Sequence, residues 1–199
     1  MIDKQTKKRR AVSVAREYAY IAVFIAILIA VQVVLSFVPG VELVTVLLVC
    51  FSFVMGVRRG LISATAFSLV RQIVFGFYPK VLILYLVYYN LLTLIFGLLG
   101  RKIKRPLVFL PLIVVVACLC TVSFTMFDNV LTPLWYGYSE KVARIYFYYS
   151  LPFMIPQVIC TAVSVTALFY PLYKVFEVLR RKLSENERNS LQQVEKDGV

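Results

Sequence analysis

Long apolar runs recur along this chain from Tyr18 almost to Val178, each closed by proline, glycine or charge. Their lengths predict six hydrophobic helices over residues 18–37, 42–57, 61–77, 81–99, 107–127 and 147–178. The second is short for a hydrocarbon core of about 30 Å. The last is too long to be wholly immersed: an irregular start marked by Pro152 and Pro156, a crossing, and a polar extension through KVFEVLRRKLSENE are expected. No stretch is long and polar enough to build a separate core. The expectation is one all-α integral membrane domain: a basic segment at 1–17, a six-helix bundle at 18–178 and a polar tail at 179–199.

Composition strengthens this reading. Hydrophobic residues make up 61% and charged ones 16%, against about 25% charged in a typical soluble domain. The basic run KKRR before an apolar stretch resembles a secretory signal, but residues 18–37 exceed a typical signal core and lack a convincing cleavage site, so a retained first span is expected. The formal net charge of +12 comes from lysines and arginines split into short clusters between spans, which argues against a nucleic-acid surface.

Those clusters set an orientation, because Lys and Arg accumulate in cytoplasmic loops. Of the 22, all but four (Arg71, Lys80, Lys141 and Arg144) precede the first span, follow the last, or link spans two to three and four to five. Both termini are therefore expected in the cytoplasm. The opposite face would carry the loops SFVPGVE and FGFYPK and the long aromatic segment FDNVLTPLWYGYSEKVARIYF. A loop of about 20 residues is long for a compact domain and marks a lid or a binding loop.

Arg71 stands inside the third apolar run, eleven residues after Gly60 and about 16 Å along a helix from it. An arginine near mid-membrane costs roughly 2.5 to 3.5 kcal/mol on insertion scales and needs a partner, water or an anion. Gln72 is adjacent, and Gln32, Asn90 and Gln157 are further polar side chains within spans. Two readings stand: a structural hydrogen-bond network between helices, or contact with a ligand. Tyr85, Tyr88 and Tyr89 share one face of the fourth helix beside Asn90, as an interfacial belt or as a wall on which a planar solute stacks. The long loop adds Trp135, Tyr136, Tyr138, Tyr146, Tyr148 and Tyr149 beside Asp128, Asn129, Glu140, Lys141 and Arg144. With Glu42 and Lys80 it suggests an outer cap over an organic solute.

Catalytic signatures are missing: no HExxH, phosphate loop, GxSxG elbow or histidine occurs, so an enzyme is not expected. The cysteines, Cys50, Cys118, Cys120 and Cys160, lie in apolar runs without metal-ligand spacing and read as packing residues. No cofactor or metal is expected. On the first helix, Ala15 and Ala19, then Ala22, Ala26 and Ala30, repeat at the four-residue spacing that lets helix backbones approach closely in lipid.

In order, the basic N-terminus, the alanine-ridged first helix, VPGVEL, GVRRGL, GFYP and GLLGRK resemble the substrate-binding S component of energy-coupling factor (ECF) transporters, over about residues 11–182. The resemblance implies a cell-membrane protein that captures a vitamin or related micronutrient from outside. It implies partnership with a shared transmembrane coupling protein and two cytoplasmic ATPases, with the alanine surface docking on the coupling protein. It also implies a solute pocket toward the outer face, for which Glu42, Arg71, Gln72, Tyr85, Tyr89, Asn90, Asp128, Asn129, Trp135, Tyr146 and Gln157 are the candidates. Arg71 would project into its floor, fixing a polar acceptor of the solute or a buried carboxylate such as Glu42. The rival readings are a self-sufficient facilitator or secondary transporter, which would need coupling-ion ligands or an inverted repeat, and a non-transporting scaffold.

Overall fold

The computed structural model describes the backbone of residues 2–38 and 43–196, and the side chains of 14–38, 43–185, Arg188 and Gln192. The described residues form six helices and no strand: α1 Ile2–Leu35, α2 Val44–Met55, α3 Val57–Phe75, α4 Pro79–Lys102, α5 Leu110–Tyr136 and α6 Glu140–Lys196. Four segments, Val14–Leu35, Pro79–Lys102, Leu110–Tyr136 and Glu140–Glu185, are long and apolar enough to cross a membrane. α1 runs back to Ile2, so most of the basic leader belongs to the first helix.

The short α2 is the centre of the bundle. Every residue of α2 except Leu47 is buried, and the helix touches α1, α3, α4 and α6. A helix of 12 residues is about 18 Å long, so its apolar sequence serves protein contact on all sides. Phe24 of α1 stacks on Phe51 of α2 at 4.0 Å between ring centres, and Phe176 of α6 meets both edge-on at 5.6 and 5.5 Å. Phe53 packs edge-on against Phe169 at 5.4 Å. Arg180 of α6 donates to the Val54 carbonyl at 3.3 Å, answering one of the open carbonyls that end α2.

The expected basic loop between spans two and three is a single residue, Gly56, with φ of 87°. Glycine tolerates that backbone turn, so α3 starts at once and Arg58 and Arg59 sit in its first turn. Arg59 reaches Glu17 of α1 at 2.7 Å. On α4, glycines allow near-contact of backbones: a Cβ on Gly97 would lie 2.8 Å from Val57 Cα, and one on Gly100 would lie 2.0 Å from the Phe53 carbonyl oxygen.

The long outer loop expected over residues 127–147 is also corrected. α5 continues to Tyr136, ends on Gly137 in the left-handed conformation, and α6 begins at Glu140, so three residues make the connection. Pro133 lies inside the last turn of α5 without ending it. Pro152 and Pro156, expected to mark an irregular start, sit within the continuous α6. The aromatic residues read as a loop are the facing walls of two antiparallel helices, joined lower down by a Thr121–Thr161 hydroxyl contact of 3.0 Å.

Cross-helix contacts fix the direction of each element. Glu17 with Arg59 joins α1 to α3 running the same way, whereas Thr65 with Asn90 and Lys80 with Asp128 join α3 to α4 and α4 to α5 running in opposite directions. The ends Leu35, Phe75, Pro79, Tyr136 and Glu140 thus share one end of the bundle, remote from Arg58, Arg59 and the Arg101–Lys102 cluster.

Candidate functional site

At that end a partly open cavity of about 270 Å³ lies between α5 and α6. Its walls are Phe124, Thr125 and Asp128 from α5, and Tyr146, Tyr149, Ser150, Phe153, Met154 and Gln157 from α6. The α6 positions recur at three- and four-residue steps, which places them along one helix face. Four aromatic rings and a thioether give the cavity its apolar surface, and a carboxylate, an amide and hydroxyls give it hydrogen-bonding groups. This combination suits an organic solute with a planar apolar body and a few polar atoms.

Asp128 is held from three helices. Lys80, in the first turn of α4, donates from Nζ to Asp128 Oδ1 at 2.8 Å and to Thr132 Oγ1 at 2.8 Å. Thr132 Oγ1 donates to the same carboxylate oxygen at 2.9 Å, and the Tyr146 hydroxyl of α6 donates to Oδ2 at 2.7 Å. The Lys80 and Asp128 side chains are 15% and 23% exposed, so the pair is largely withdrawn from solvent. Its charges cancel locally, and its hydrogen bonds fix the cavity wall.

Arg71 stands one aromatic ring away. At about 100° per residue, its position on α3 falls between Phe67 and Ser68, both fully buried, so it belongs to the face turned into the bundle. Its guanidinium carbon lies 4.3 Å from the centre of the Tyr85 ring and 4.9 Å from that of Phe75. Tyr85 in turn lies 6.0 Å from Phe124 of the cavity wall, and Tyr88 lies 4.7 Å from Phe124. The ring faces stabilise the cation. They leave the buried Arg71 Nε without a hydrogen-bond partner.

Other polar atoms at this end share that condition. Both amide atoms of Asn129, Thr125 Oγ1, Gln72 Nε2 and Gln32 Oε1 are buried with no partner among the described residues. Each such group costs about 1–3 kcal/mol if left dry, so each calls for water or another polar partner.

Of the residues singled out by sequence, Asp128, Tyr146 and Gln157 line the cavity, and Arg71 and Tyr85 flank it. Asn129 is buried on α5 beside Asp128 without lining it. The remaining ones take structural positions. Tyr89 is 1% exposed and packs edge-on to Phe67 at 5.4 Å. Asn90 accepts from Thr65 at 3.0 Å and donates to the Leu86 carbonyl at 2.8 Å, binding α4 to α3. Gln72 accepts the Tyr78 N–H at 3.0 Å, closing the turn from α3 to α4. Trp135 is 46% exposed near the end of α5, away from the cavity wall. Glu42 lies outside the described residues. Phe124, Thr125, Ser150, Phe153 and Met154 were not legible as site residues; their signal is the helical spacing of 146, 149, 150, 153, 154 and 157, visible once α6 starts at Glu140.

A second feature lies on α1. Ala15, Ala19, Ala22, Ala26 and Ala30 are all exposed, on the side of the helix opposite Phe24 and Leu28, which are 4% and 0% exposed. The ridge is therefore left open by the bundle's own packing. Comparison with known proteins returns no matching family model, no curated relative and no similar solved structure.

Proposed function

We propose that the chain is the solute-binding S component of an ECF-type importer in the cell membrane, with six membrane helices and both termini in the cytoplasm. It captures a vitamin-like micronutrient at its outer end for ATP-driven uptake. The observation that carries this reading is the position of the cavity, at the bundle end opposite the basic clusters, with aromatic walls and the unsatisfied, buried Thr125 hydroxyl in its lining. Lys and Arg favour the cytoplasmic side, so the cavity faces outward. The short α2 crosses as the protein-covered centre of the bundle, continued by α3 after one glycine.

The open alanine ridge supports the partnership half of the proposal. Small residues on a lipid-facing helix let a second helix approach closely, which suits docking on a transmembrane coupling protein that carries two ATPases. Ala22→Trp and Ala26→Trp place bulk on this ridge without entering the core. Expressed with the coupling module, both variants are expected to retain solute and to lose co-purification of the ATPases. Unchanged co-purification places the interface elsewhere, and failure of the wild-type chain to bring down any ATPase favours a self-sufficient transporter.

A further inference from the structure

We infer that the captured solute is an organic monoanion, a small aromatic or conjugated carboxylate whose carboxylate group pairs with Arg71. This rests on the proposed solute-binding role and names the chemistry of its ligand. Arg71 faces the bundle interior, and its Nε is buried without a hydrogen-bond partner. No carboxylate among the described residues forms an ion pair with it; Asp128, the acid in the cavity wall, already holds Lys80 at 2.8 Å. Among the described residues, the Arg71 guanidinium therefore carries one uncompensated positive charge.

That count selects the anion. A carboxylate brings one negative charge and a two-oxygen edge that matches the guanidinium fork. A phosphate monoester brings about −1.5 to −2 at neutral pH, leaving excess charge in a poorly solvated place. The rings set the rest of the solute. Tyr85 stands between the guanidinium and Phe124 of the cavity, at 4.3 and 6.0 Å from them, so the carboxylate of a solute with one or two rings in the cavity reaches Arg71 when the Tyr85 side chain turns aside. Among the cavity's own lining, the buried Thr125 hydroxyl, without a partner among the described residues, and the Gln157 amide offer polar atoms to such a ring.

The test uses the full-length chain purified in detergent and washed free of solute. Matched probes are benzoate and benzamide, nicotinate and nicotinamide, 4-aminobenzoate and 4-aminobenzamide, and indole-3-acetate and its amide, read by calorimetry and thermal shift. At least one acid is expected to bind about tenfold or more tightly than its own amide. That preference should vanish in Arg71→Gln and survive in part in Arg71→Lys, with Arg101→Gln, exposed at the opposite end of the bundle, as a folded control that keeps it. Equal binding of acid and amide, or a preference that persists in Arg71→Gln, overturns the carboxylate while leaving solute capture standing. Binding of none of the probes by a protein that carries from the cell a solute without a carboxylate also overturns it. A chain that binds no probe and carries no solute sinks the capture role itself. One charge-swap control addresses Glu42: if Arg71→Glu loses thermal stability and adding Glu42→Arg restores it, the partner of Arg71 is internal and the inference fails.

Discussion

Removing the Asp128 carboxylate tests how the cavity wall is held. In Asp128→Ala, the Lys80 ammonium keeps the Thr132 hydroxyl as its partner in a place where its side chain is 15% exposed, and the Tyr146 hydroxyl loses its acceptor. Exposed ion pairs contribute about 0–1 kcal/mol, and breaking a fully buried one costs about 3–5 kcal/mol. With Asp128 itself 23% exposed, the loss falls between those limits, at about 2 kcal/mol. For a chain of this length that is a fall of about 4–8 °C in Tm. A thiol-reactive dye reads unfolding in detergent, since Cys50 is buried in the folded protein. A double-mutant cycle with Lys80→Ala isolates the pair, and a coupling of about 1–2 kcal/mol is expected. Asp128→Asn, which keeps an acceptor for Tyr146, should lose less than Asp128→Ala. Additive single losses, within about 0.5 kcal/mol, refute the view that this ion pair holds α4 to α5.

Two further predictions concern packing and orientation. Gly100→Ala brings a methyl group to 2.0 Å from the Phe53 carbonyl oxygen and should cost about 3 kcal/mol or more, whereas Gly137→Ala meets nothing within 4 Å and pays only for its left-handed backbone, about 1–2 kcal/mol. Equal Tm losses for the two would contradict the close α2–α4 approach. In a cysteine-free background, Ser139→Cys should react with an impermeant maleimide on intact cells and Lys104→Cys only after permeabilisation; the reverse pattern inverts the proposed orientation.

The sequence was most informative where one residue type stood against its surroundings. Arg71 amid apolar residues does face the bundle interior, and the alanine repeat does form an exposed ridge, because helical spacing alone determines which side each occupies. The α5–α6 connection was misread for a physical reason. Aromatic and charged residues interleave from Phe127 to Phe147, a composition that fits a capping loop as well as two facing helices, and Gly137 is its one glycine. The central role of α2 was hidden for a related reason: a uniformly apolar helix carries no periodicity to separate neighbours made of protein from neighbours made of lipid. The Lys80–Asp128–Tyr146 network joins residues 48 and 18 positions apart, distances at which no local pattern reports contact.

The central claim is that the end of the bundle bearing this cavity holds a small organic solute. Mass spectrometry of small molecules released by denaturing the gently purified protein tests it most directly, beside a Ser150→Trp variant that fills the cavity. The account predicts one compound in near-stoichiometric amount from the wild type and its loss from the variant. A wild-type protein that is empty after mild purification from cells grown in rich medium, or a compound retained equally by Ser150→Trp, would contradict it.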